Sequence, residues 1–184
     1  MTSILDNALN DDDFYKLKNI ILGSNFNWFY NDSVSFSSED DPRYGNGGRY
    51  LTNYYFTHLF YGHNDGQSYE RKVSQRYRTS ISDWFDLVQP ILNVINPRVL
   101  IRVKANLYPS TPKLLHHESH IDLPYEHKGA IFYVNTNDGL TMLDDGTEVE
   151  SIENRLLLFN PSLPHNSTTC TNAKCRVNIN FNYM

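Results

Sequence analysis

The chain has little with which to staple itself, cross a membrane or grip a polyanion. Its 184 residues include two cysteines, Cys170 and Cys175, too few for a disulfide framework or a four-thiolate zinc site; they are expected as free thiols near a hairpin turn. No apolar run approaches the roughly 18 residues of a membrane span. Met1 to Phe14 carries four Asp and no basic residue, unlike a secretory or transit leader, so a cytoplasmic location is expected. Basic residues number 16 against 21 acidic ones, for a net charge of −5, which argues against holding duplex nucleic acid on a broad basic face. The basic run Arg71, Lys72, Arg76 and Arg78 is read as a solvated face. What the chain does have is aromatic side chains, 13 Tyr and 10 Phe, a composition that favours strands joined by turns over a helical bundle.

Organisation follows from spacing. Asn10 to Gly23 reads as a helix: Asp11 to Asp13 supply cap and first-turn charge, Phe14, Leu17, Ile20 and Ile21 share a face, and Gly23 ends it. Ser33 to Gly48 is rich in Ser, Asp and Gly and reads as a long loop. Tyr54 to Tyr61 reads as a strand. A second helix is expected from Ser80 to Asn96, with Ser80 and Asp83 as a capping box, a kink at Pro90 and a stop at Pro97. From Arg98 the period changes to two. Val99, Ile101, Val103, Ala105 and Leu107 alternate with Arg98, Leu100, Arg102, Lys104, Asn106 and Tyr108. Further strands are expected at Ala130–Asn135, Leu140–Leu143, Glu148–Ile152, Arg155–Phe159 and Arg176–Tyr183. No repeat or long linker divides the chain, so residues 1–184 are expected as one domain, with 1–97 supporting a β-rich core at 98–184.

Histidine–carboxylate pairs are the place to look for metal chemistry. Seven His and 21 acidic residues in 184 give roughly 0.8 His-x-acid pairs by chance, and the chain has three. His63 and Asp65 fall in an Asn-Asp-Gly turn that explains both. His116 and Glu118 lie in a polar connector after Pro109 and Pro112. His120 and Asp122 flank the apolar Ile121, so in an extended segment both side chains point to one side. A third ligand must come from elsewhere, and His165 follows the strand Arg155–Phe159 and a Pro-containing turn. Eleven residues further on, Arg176 opens a strand in which Arg176, Asn178 and Asn180 share one face and Val177, Ile179 and Phe181 the other. Two imidazoles and a carboxylate suit Fe(II) and leave positions open for a chelating co-substrate and dioxygen. An Arg at the head of an inward polar row needs an anion, and a co-substrate carboxylate supplies one. Lys174, two positions away on the same parity, is the alternative.

With these residues the sequence resembles the Fe(II)/2-oxoglutarate dioxygenases of the prolyl 4-hydroxylase-like branch, across about Arg98 to Tyr183. Ala105-Asn-Leu-Tyr-Pro109 is similar to the family's strand before the metal loop, and Ala130-Ile-Phe-Tyr-Val-Asn135 to its aromatic strand ending in Asn. Compact chains with acidic N-termini also resemble oxygenases of tailed phages. The resemblance implies a mainly β fold, a double-stranded β-helix (jelly roll) with flanking α-helices on the larger sheet. It implies Fe(II) on His120, Asp122 and His165, and 2-oxoglutarate as co-substrate, its distal carboxylate held by Arg176 with the co-substrate tyrosines Tyr133 and Tyr108. The implied reaction hydroxylates an unactivated C–H bond while 2-oxoglutarate and dioxygen become succinate and carbon dioxide, with a peptide or protein substrate, a peptidyl proline first. The DNA-repair dioxygenases carry a further Arg where this chain has Asn182, which counts against base dealkylation. If Tyr108 faces the metal, parity places Lys104 and Asn106 in the cavity with Asn178 and Asn180, a lining suited to an amide backbone. A cupin-type isomerase using the same metal cage, or a non-catalytic jelly-roll binding module, needs no Arg176.

Overall fold

The structure, a computed structural model, describes residues 2–31, 34, 54–63 and 79–184. The expected loop Ser33–Gly48 apart from Val34, the basic run at 71–78, and the side chains of His63 and Asp65 lie outside these.

Period-two segments become strands, and the strands form two facing antiparallel sheets. Among the described residues the larger has eight strands in the order β1–β9–β6–β11–β5–β3–β2, with β4 also paired to β3. Its members are β1 (Ser3–Leu5), β2 (Phe29–Asn31), β3 (Tyr55–His63), β4 (Thr79–Ile81), β5 (Leu100–Pro109), β6 (Lys128–Tyr133), β9 (Arg155–Phe159) and β11 (Cys175–Tyr183). The smaller runs β10 (His165–Ser167), β7 (Leu140–Leu143), β8 (Glu148–Glu150). Isolated bridges His116↔Thr168 and His120↔His165 lay residues 116–120 against β10 as a fourth, irregular member. This is the double-stranded β-helix, mainly β, with two helices on the larger sheet.

Alternation decides what each face touches. Val103 and Ala105 of β5, Ala130 and Phe132 of β6, and Val177, Ile179 and Phe181 of β11 form the outward core beneath the helices. Phe14, Leu17 and Ile21 of α1 (Asp11–Ile21) complete it from one side, and Ile91 and Leu92 of α2 (Gln89–Ile95) from the other. The opposite face of β6 and β9 packs Ile131, Tyr133, Leu157 and Phe159 against Leu143 and Val149 of the smaller sheet.

Several local expectations change. The cap of α1 is Asn10, whose side chain accepts from Asp13 N, and Asp11 to Asp13 supply first-turn charge. The second helix does not begin at Ser80: residues 79–81 pair with β3, a 3₁₀ turn spans Phe85–Val88, and α2 begins at Gln89. Pro90 therefore sits in the first turn of α2, where its missing N–H costs nothing, and does not kink it. The N-terminal segment joins the larger sheet at both ends, with β1 on β9 and β2–β3 on β5.

Candidate metal centre and anion cavity

The metal ligands expected from sequence come together. His120 bridges to His165 at the start of β10, and Asp122 lies two residues on in a bend. One ligand atom from each of His120, Asp122 and His165 falls within 4.8 Å of the others. Both imidazoles are oriented by the same device. His120 Nδ1 donates to the Glu118 carbonyl at 3.2 Å, and His165 Nδ1 donates to the Leu163 carbonyl at 3.1 Å. A carbonyl only accepts, so each Nδ1 carries the proton and each Nε2 is left as a lone-pair ligand. Burial lowers the pKa of His165 despite Asp122 beside it, which favours the neutral, ligating form. Burial works to raise the Asp122 pKa, but Arg102, His165 and the hydrogen bond from Asn182 outweigh it and the carboxyl lies below its ordinary value. The donor set is thus two imidazoles and one carboxylate, a His-Asp-His triad that fits Fe(II).

A cavity opens beside the triad. It is lined by His120, Asp122 and His165, by Lys104, Asn106 and Tyr108 of β5, by Asn178 and Asn180 of β11, and by Thr141 and His117. Asn106 Nδ2 donates to Asn178 Oδ1 at 3.0 Å. Asn106 and Asn180 line the cavity, and their Oδ1 atoms are buried with no hydrogen-bond partner among the described residues.

Arg176 lies at the end closed by Tyr108 and Thr141 and is fully buried. Its Nε donates to Ser151 Oγ at 2.8 Å, Nη1 to the Thr168 carbonyl at 3.2 Å and Nη2 to Thr141 Oγ1 at 2.9 Å. These use three of the five N–H groups of a guanidinium, all on neutral oxygens. Among the described residues no carboxylate pairs with it. Its Cζ lies 5.7 Å from the Tyr108 ring centroid and 5.9 Å from that of Tyr133. Burial raises both phenol pKa values, so both stay protonated. Tyr133 Oη donates to Thr141 Oγ1 at 2.9 Å. With Tyr133 and Arg176 both donating to it, the Thr141 hydroxyl keeps its own proton for the cavity it lines. Lys174, by contrast, is exposed in the turn before β11.

Close packing holds Arg176 in place. A Cβ at Gly139 would collide with Arg176 Cδ, so the Asp138-Gly139 turn needs glycine for this approach. Asn135 Nδ2 donates to the Cys175 carbonyl, and its Oδ1 accepts from Val177 N, which ties β11 on both sides of Arg176. Sequence reasoning missed Thr141, Ser151, Thr168 and His117, which come from segments whose spacing carries no sign of the cavity. It noted Arg102 and Asn182 only in passing, yet parity already placed each on the cavity face of its strand.

No family model and no curated protein matches the chain. Solved structures do, at the level of fold. An oxidoreductase of the 2OG-Fe(II) oxygenase family from Burkholderia pseudomallei is 10% identical with a TM-score of 0.63, covering 99% of this chain and 84% of that one. A prolyl-4-hydroxylase from Pseudomonas putida is 13% identical with a TM-score of 0.53, covering 99% and 91%. The alpha-ketoglutarate-dependent epimerase SnoN of nogalamycin biosynthesis is 10% identical with a TM-score of 0.56, covering 100% and 77%. The shared property is the double-stranded β-helix; the chemistries named differ. No helix among the described residues is long and apolar enough to cross a membrane.

Proposed function

We propose that this protein is an Fe(II)- and 2-oxoglutarate-dependent dioxygenase that hydroxylates an unactivated C–H bond, with a peptidyl proline as substrate class. The observation that carries the reading is Arg176: a fully buried guanidinium with no carboxylate partner among the described residues, set behind Thr141 and Tyr108, which line the cavity that holds the triad. Burying such a cation is costly unless an anion meets it, and the distal carboxylate of 2-oxoglutarate is that anion. With the metal bound, the chemistry available is oxidative decarboxylation of 2-oxoglutarate by dioxygen to succinate and carbon dioxide, coupled to insertion of one oxygen atom into a C–H bond.

In this reading His120 and His165 ligate through Nε2 and Asp122 through one carboxylate oxygen. Arg176 and the Thr141 hydroxyl hold the far carboxylate, and Tyr133 fixes Thr141 from behind. Tyr108 and Tyr133, both buried, keep water from that end. A peptide supplies amide N–H groups to the unpartnered Asn106 and Asn180 oxygens, and Asn178 holds Asn106 in position. The fold likeness to the P. putida prolyl-4-hydroxylase agrees with a peptide substrate without specifying it.

The test has two stages. Anaerobic Fe(II) and 2-oxoglutarate should give a weak visible charge-transfer band in the wild type and none in His165→Ala. The iron-loaded enzyme is then incubated with a proline-containing peptide library, and a one-oxygen gain on proline is sought by mass spectrometry. A metal-binding protein with no band and no affinity for 2-oxoglutarate would favour a cupin-type isomerase. Turnover confined to free amino acids, nucleosides or lipids would sink the peptidyl assignment alone.

A further inference from the structure

The acidic member of the triad is held in a ring made of one ion pair and two hydrogen bonds. Arg102 Nη2 lies 3.2 Å from Asp122 Oδ1. Arg102 Nε donates to Asn182 Oδ1 at 3.0 Å, and Asn182 Nδ2 donates to Asp122 Oδ2 at 2.8 Å. Arg102 and Asn182 are register partners on β5 and β11, so strand pairing itself brings the ring together.

The ring has a single polarity. A guanidinium only donates, so Asn182 turns its carbonyl oxygen toward Arg102 and its amide nitrogen toward Asp122. The same nitrogen lies 3.1 Å from His127 Nε2, which must then accept. His127 therefore carries its proton on Nδ1 and donates to the Tyr125 carbonyl at 2.8 Å. One donor-only group thus sets an amide orientation, a histidine tautomer and a carboxylate rotation. Asp122 Oδ1 is the oxygen on the His120 side, 3.8 Å from Nε2, while Oδ2 is capped by Asn182.

We propose, building on the metal-site reading above, that Arg102 is a positioning residue for the metal: together with Asn182 it presents one oxygen of Asp122 to the ion and withholds the other. A carboxylate so held ligates through a single atom and leaves a coordination position for an incoming chelator. Two effects of the guanidinium oppose each other. As a cation beside a divalent ion it repels, so its removal would tighten metal binding. As an orienting donor it fixes the ligand, and loss of such support costs about 10–100-fold in metal affinity. The ion pair with Asp122 already offsets the charge, whereas both donors are engaged in orientation, so the second effect wins.

The sign of one measurement decides. Co²⁺ affinity of the full chain is measured by calorimetry without 2-oxoglutarate for wild type, Arg102→Met, Arg102→Lys and Asn182→Ala. Arg102→Met should bind Co²⁺ about tenfold or more weakly, and Arg102→Lys, which keeps the charge without the two-donor fork, should recover only part of the loss. At saturating Co²⁺, oxalate should bind more weakly to both Arg102→Met and Asn182→Ala, because the freed Oδ2 competes for its position; a purely structural role would not move this. Equal or tighter Co²⁺ binding by Arg102→Met overturns the proposal. Should that variant not fold, unchanged oxalate affinity in Asn182→Ala overturns it instead. Wild type that binds Co²⁺ and oxalate but never 2-oxoglutarate refutes the oxygenase reading and leaves this inference decided on its own data; wild type that binds no Co²⁺ refutes both.

Discussion

Two guanidinium groups on neighbouring strands differ in their partners and in their burial. Arg102 on β5 meets a carboxylate of its own chain, Asp122. Arg176 on β11 meets three neutral oxygens and, among the described residues, no carboxylate. Arg102 keeps 17% of its side-chain surface, whereas Arg176 keeps none. The better buried charge is thus the one without a counter-ion, the reverse of what stability alone would select. A protein gains nothing from such an arrangement in isolation, and gains affinity when an external anion arrives. In the reading proposed above, the end that holds its own anion orients a ligand of the metal, and the end that lacks one receives a ligand from outside.

Replacing each Arg by Met breaks this comparison most strongly. Arg176→Met should lower 2-oxoglutarate affinity about 100-fold, roughly 2.7 kcal/mol, yet change the melting temperature little, because removal of a buried charge without a counter-ion offsets the three buried acceptors it leaves. Arg102→Met should instead lower stability, since it strands the buried Asp122 carboxylate. Arg176→Lys keeps the charge and loses the fork, for about a tenfold loss, near 1.4 kcal/mol. Calorimetry with metal-loaded protein and thermal melts read both quantities. Normal 2-oxoglutarate binding by Arg176→Met, with Lys174→Ala impaired, would move the anion site to the exposed lysine and end the contrast.

A smaller effect sharpens it. Thr141 accepts from both Tyr133 and Arg176, so Thr141→Val leaves two buried donors short of a partner. Stability should fall by about 1–3 kcal/mol and 2-oxoglutarate affinity several-fold, roughly 1 kcal/mol for one hydrogen bond to a charged or polar partner. Metal affinity should not move, because Thr141 belongs to the Arg176 end alone. Thr141→Ser should restore most of the loss. A drop in Co²⁺ affinity equal to that in 2-oxoglutarate affinity would show that the two ends are not separable.

Much of this contrast is legible in the sequence because a strand's faces follow from counting. Parity on β11 sends Arg176, Asn178 and Asn180 one way and Val177, Ile179 and Phe181 the other, and the buried cluster confirms the division. The same count on β5 puts Lys104, Asn106 and Tyr108 in the cavity. What counting cannot reach is the partner across space. Thr141, Ser151 and Thr168 belong to the smaller sheet and its connections, where short hydroxyl side chains leave no periodic mark. The failed helix start at Ser80 has the same origin. Ile81, Trp84, Phe85 and Val88 have helical spacing, but β3 captures residues 79–81 by strand pairing, a contact with residues 61–63 that no local window contains. Strand β1, three exposed residues on β9, has no alternation to read at all.

The smallest effect near neutrality concerns acid, and it falls on the Arg176 end. His117 is buried, with Nδ1 2.7 Å from Ser167 Oγ and its ring 4.8 Å from that of Tyr108. Burial first, and then the Arg176 charge, push its pKa from 6.5 down to about 3. The folded protein therefore keeps His117 neutral while the unfolded chain takes up a proton below about pH 6.5. Its contribution to stability is whole above pH 6.5 and is lost as pH falls toward 3, by about 0.7 kcal/mol from pH 7 to 6 and about 1.2 kcal/mol from pH 6 to 5. His58 and His165 are also depressed by burial and add slopes of the same sign, so the diagnostic quantity is a difference between proteins. His117→Asn keeps a polar group near Ser167 without a titrating one, and its unfolding free energy in urea should fall less steeply from pH 7 to 5 than that of the wild type. Parallel slopes would mean that His117 gains no protection from the fold. The Arg102 end should feel acid differently: there the carboxylate is held below its ordinary pKa and keeps its charge through the same interval, so the counter-ion that Arg102 has and Arg176 lacks also sets which end yields first.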